Sequence, residues 1–128
     1  MKDNVYRRQV EFVINASAQQ YRAYCILKYT DPSETYHWDV WGSLHTYENE
    51  KDGSIVCVVW LRRFDPKHHF ADIGVLVHEV QHLVFKVMRD KGVDASRASE
   101  EAWAYLFEFY VSTFLDAFIP SKKKKKRK

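Results

Sequence analysis

Between Asp72 and Gly92 apolar residues recur at helical spacing, and this segment constrains the fold more than any other part of the chain. Leu76, Val77, Val80, Leu83, Val84, Val87 and Met88 fill an arc from about 140° to 280° on a wheel that sets His78 at zero. Such a helix has to bury its apolar stripe, so the rest of the chain must supply a second layer. Asp72 is the expected N-cap and Gly92 the expected C′ residue, with Lys86, Arg89 and Lys91 in the last turns. Val75, Val77, Val80, Val84 and Val87 are β-branched and weaken the intrinsic propensity, which leaves tertiary packing to hold the helix.

The polar arc, from roughly 0° to 100°, carries His78, Glu79 and His82, an HExxH motif. Two imidazoles four residues apart lie one turn above each other and can bind one metal ion. Glu79 is placed to hold a water against that metal and to act as general base. A solvated helix face that happens to carry two His and one Glu is the alternative, and the following helix bears on the choice.

A catalytic zinc site takes three protein ligands and keeps a fourth position for water. Eighteen residues separate His82 from Glu101, which gives HExxH-x18-E. The stretch Glu100-Glu101-Ala102-Trp103-Ala104 surrounds the third acidic position, Glu108 follows seven residues after Glu101, and Phe85 follows the first motif. From Val77 to Tyr110 these residues resemble the gluzincin metallopeptidases, most closely the zinc aminopeptidases that share the spacing. The resemblance implies that His78, His82 and Glu101 bind Zn²⁺ and that Glu79 is the general base. No upstream segment resembles the Gly-Ala-Met-Glu-Asn stretch with which aminopeptidases recognise a free amino terminus, and 128 residues cannot hold their flanking domains. The form implied is a minimal, single-domain zincin.

Helical periodicity leaves the third ligand open. Glu101 falls within about 60° of Tyr105, Glu108, Ser112 and Asp116, and it could simply head an ordinary polar stripe. Trp103, Leu106, Phe107, Tyr110, Phe114 and Phe118 cover the opposite side, with Glu100 nearer to them and the alternative ligand if the helix is rolled.

Upstream, the chain reads as β-rich. Val5 to Ala16 fits a strand or a short helix, while Tyr21 to Tyr29 and Tyr36 to Glu48 read as strands. Asp31-Pro32-Ser33 is a turn signal, Asn49 to Gly53 a hairpin turn, and Ser54 to Phe64 the strongest β segment. Strands followed by two long helices predict an α+β fold, a zincin-like antiparallel or mixed sheet packed against two C-terminal helices. Ile55 to Leu61 could be an edge that binds substrate backbone, or an interior strand. His68, His69 and Tyr105 are possible assistants in a cleft, with exposed loop residues and helix packing as the plainer alternatives. His37 and His45 have no spacing partner.

Composition fits one domain over residues 1–119, since 46% hydrophobic content can supply a core. Charged residues interrupt every apolar run, and Met1 is followed by Lys2-Asp3-Asn4, so neither a membrane span nor a leader is read and a cytoplasmic location is expected. Cys25 and Cys57 are then buried free thiols. Residues 120–128 form a separate tail: Lys122 to Lys128 are all Lys or Arg, and without these seven the 20 basic residues become 13 against 17 acidic, a body of net charge −4. Such a run predicts disorder and weak, nonspecific contact with nucleic acid or an anionic surface, or simply a solubilising tail. The leading expectation is a zinc metallopeptidase acting on a peptide or protein. A non-enzymatic zinc-containing interaction module and a tail-dependent nucleic-acid accessory protein are its rivals.

Overall fold

The computed structural model describes residues 9–31, 40–49 and 51–119. The basic tail, the Pro32-Ser33 turn and parts of two expected strands (5–8 and 36–39) lie outside the described residues. Six elements follow in order: β1 (Gln9–Ile14), α1 (Ala18–Tyr29), β2 (Gly42–Glu48), β3 (Ile55–Leu61), α2 (Ala71–Asp90) and α3 (Glu100–Phe118). The sheet order is β1-β3-β2. β3 runs parallel to β1 and antiparallel to β2, so the sheet is mixed and the fold is α+β, with its two C-terminal helices as expected.

β3 is the centre of the molecule, because alternate side chains enter two different cores. Cys57, Val59 and Leu61 pack with Leu76, Val80, Leu83 and Val84 of α2 and with Leu106, Tyr110 and Phe114 of α3. Val58 and Trp60 point the other way, to Ala18, Tyr21 and Cys25 of α1. A strand buried on both faces needs no polar alternation, which explains its unbroken apolar run. Of the two readings of this segment, interior strand and substrate-binding edge, the sheet order selects the first. The two cysteines are free and buried, one in each core.

The expected strand Tyr21 to Tyr29 is instead the helix α1. Its start is fixed by a capping box: the Ser17 hydroxyl accepts from the Gln20 N–H at 3.1 Å, and the Gln20 side chain accepts from the Ser17 N–H at 2.8 Å. Tyr21 and Cys25, four residues apart, then face the sheet, and the Tyr21 ring stacks on Trp60 with centroids 5.0 Å apart. The abundance of Tyr and Cys in this stretch reflects one buried helical stripe.

α2 ends as the sequence suggests. Lys91 is the C-cap, Gly92 adopts φ +69°, the Val93 N–H donates to the Met88 carbonyl at 2.9 Å, and the Gly92 N–H donates to Arg89 at 3.1 Å. This is a Schellman turn, and it sends the chain back along α2. The start differs from expectation: Phe70 occupies the N-cap, and Asp72 lies inside the first turn. Its buried carboxylate accepts from the Asp65 N–H and from the Arg63 guanidinium, which draws the preceding loop onto the helix. No described helix is long and apolar enough to cross a membrane.

Candidate metal centre

α2 presents its apolar stripe to the sheet and its His-Glu-His face along the rim of that contact. The Nε2 atoms of His78 and His82 lie 3.1 Å apart. Two nitrogens each about 2.0–2.1 Å from one zinc ion would stand at this separation with an angle of roughly 100° at the metal. Glu79 completes a group in which all three potential ligand atoms lie within 4.8 Å of one another. Both imidazoles are exposed while Glu79 is 4% exposed, so the nitrogens are open to solvent and the carboxylate sits behind them.

The carboxylate is unusual for a buried group. Its Oε2 has no hydrogen-bond partner among the described residues. Burial pushes the Glu79 carboxyl above its ordinary range, and the charge of His78 and His82 works in the opposite direction. A buried acceptor without a donor costs free energy, which a nearby cation, a bound donor or protonation would offset. Two imidazole nitrogens this close suit zinc as ligands, and the carboxylate beside them could hold a water against the ion. The residues present fit that ion.

β2 positions the carboxylate from the far side. A Cβ on Gly42 would lie 2.9 Å from the Glu79 Cγ, 2.9 Å from the Trp60 carbonyl oxygen and 3.1 Å from Val75 Cγ1. The strand therefore approaches α2 at a distance that only glycine permits. A glycine inside an otherwise β-like stretch was the available sequence signal for this close approach, and the motif reading alone missed it. β2 is the edge strand next to the cleft, and the two elements enclose a volume of 980 Å³. Gly42, Ser43 and Leu44 lie on one side, His78, Glu79 and His82 on another, and the α2–α3 connection from Gly92 to Ala95 closes the end.

No protein-family model, curated protein or solved structure matches the chain. The site is therefore read from its own geometry.

That geometry brings His78, Glu79 and His82 together and leaves Glu101 outside the group. Leu106, Tyr110 and Phe114 bury one face of α3, and this sets its roll. Glu101, Tyr105, Glu108, Ser112 and Asp116 consequently form an exposed stripe. Glu100 is also exposed, but it borders Gln81, Phe85 and Trp103 and so stands nearer to α2. Phe85 packs edge-to-face on Trp103 with centroids 5.1 Å apart, tying the two helices beside the cleft. The remaining expected assistants do not line it. His68 binds the Asp65 carboxylate at 3.0 Å, His69 is exposed, and Tyr105 stacks on Phe109. Lys86 and Arg89, read from sequence only as helix-terminal charges, do line the cleft.

Proposed function

We propose that the protein is a zinc-dependent metallopeptidase in which His78 and His82 hold the metal and Glu79 is the general base. The observation that carries this reading is the pairing of two solvent-open imidazoles, 3.1 Å apart, with a buried carboxylate whose Oε2 lacks a partner. Zinc bound there would supply a Lewis acid that acidifies water and polarises a carbonyl. Glu79 accepts the proton of the attacking water and returns it to the leaving amine. Its poor solvation raises its basicity toward that task.

Glu101 is proposed as the third ligand on its spacing from His82 and on the resemblance to gluzincins. Its carboxylate makes no hydrogen bond or ion pair with the described residues. A peptide is favoured as substrate because the cleft runs beside an edge strand, whose outer N–H and C=O groups can pair with an extended backbone. The test is Glu79→Gln. That variant should keep zinc but lose hydrolysis of a peptide mixture by about 10²–10⁴-fold, the range for a removed general base. Full activity in it would overturn the mechanism.

A further inference from the structure

We propose that the cleft selects its substrate by a carboxylate group, which Arg89 binds about three residues along the peptide from the bond that is cut. This rests on the hydrolase reading, and it adds a charge requirement to it.

His78, His82, Lys86 and Arg89 succeed one another at spacings of four, four and three residues, and all four line the same cleft. Arg89 lies seven positions after His82 on the helix, a rise of about 10 Å. An extended chain covers that length in about three residues at roughly 3.3 Å each. The two cations are not equivalent. Lys86 Nζ is committed to Asp90 at 3.1 Å. Arg89 is exposed, and its guanidinium has no hydrogen-bond or ion-pair partner among the described residues.

Trp103, on α3, lines the same cleft. The Trp103 indole Nε1 is buried without a hydrogen-bond partner. The uncommitted Arg89 guanidinium on that cleft is what calls for an anionic ligand, since its fork matches a carboxylate at both oxygens. Asp94, on the α2–α3 connection, also lines the cleft and makes no ion pair with Arg89. It repels a second anion, so a bound carboxylate is directed to the helix side. The competing role for Arg89 is purely structural, a cation near the helix C-terminus. That role affects stability only slightly and is indifferent to the peptide.

The test uses full-length, zinc-supplemented protein and matched peptides with Glu or Gln two to four residues from the cleavage point, on either side. Cleavage gives kcat/KM for each pair. Fluorescence anisotropy of the labelled peptides on the Glu79→Gln protein gives Kd without turnover. We expect the Glu peptide to be preferred by about tenfold in both measurements, less at high salt. The preference should vanish in Arg89→Gln, reverse toward Lys-containing peptides in Arg89→Glu, and increase in Asp94→Asn. Lys51→Gln, an equal loss of charge in the β2–β3 turn, should leave it unchanged. Equal affinity for Glu and Gln peptides, or a preference that survives Arg89→Gln, overturns the carboxylate subsite. Failure of the hydrolase reading looks different: no zinc is bound and neither peptide is cut, while anisotropy still decides the charge preference.

Discussion

Gly42 and Glu79 are in such close contact that a single added carbon on the glycine would come within 2.9 Å of the Glu79 Cγ. The same carbon would meet the Trp60 carbonyl at 2.9 Å, and a strand backbone cannot swing aside as a side chain can. Gly42→Ala should therefore push β2 away from α2 and unseat the carboxylate. We expect a loss of about 1–3 kcal/mol in urea unfolding, typical of overpacking, and a fall in hydrolysis beyond what lost stability explains. Unchanged stability would mean that β2 stands farther from the helix.

Metal binding should depend on the exposed imidazoles without the fold depending on them. His78→Ala and His82→Ala remove side chains outside either core, so their circular dichroism should match that of the parent protein. Zinc at 100 times its dissociation constant stabilises a native protein by about 2.7 kcal/mol. Adding zinc should raise the parent melting temperature, a chelator should reverse the rise, and both substitutions should abolish it.

The two neighbouring glutamates can be separated by metal affinity. Glu101→Ala should weaken zinc binding by about tenfold or more, and Glu100→Ala should leave it near the parent value. Isothermal titration of the three proteins makes the comparison. The reverse order would assign the ligand to Glu100, the residue that borders Gln81 and Phe85.

Acid should loosen the start of α2. The Arg63 guanidinium holds the Asp72 carboxyl below its usual range, against the upward push of its own burial. A depressed acid pKa contributes stability that is fully present above the ordinary carboxylate pKa of about 3.9 and is lost as pH falls through the lower folded value. Asp72→Asn should cost about 1–3 kcal/mol near neutral pH. The difference from the parent protein should shrink below about pH 4 in urea titrations. A gap of constant size across that range would assign the effect to packing.

The long helices were legible because their periodicity states directly which face is buried: Leu83, Val84 and Val87 on α2, and Leu106, Tyr110 and Phe114 on α3. Gly92 announced the end of α2 because few other residues adopt its positive φ. α1 was misread because Tyr and Cys favour strands locally, while the capping by Ser17 and Gln20 and the docking of Tyr21 on Trp60 favour a helix. For the site, five contiguous letters sufficed to find His78, Glu79 and His82, whose relation is local to one helix. Everything contributed from elsewhere was harder to read. The contact of Gly42 with Glu79 depends on sheet order, and the direction of Glu101 depends on how α3 rolls onto its core.

One consequence concerns where this chain can be cut. β3 holds six residue pairs with β1 on one side and seven with β2 on the other. A fragment beginning at Gly42 would retain the entire HExxH helix yet leave one margin of β3 bare, and it would also uncover Val58 and Trp60, normally roofed by α1. Such a fragment offers other copies of itself both a backbone ladder and an apolar face, so self-association should overtake folding. The smallest stable unit is thus set by a strand outside the His78–Glu79–His82 group, and a minimal peptide built around the motif would be the wrong starting material.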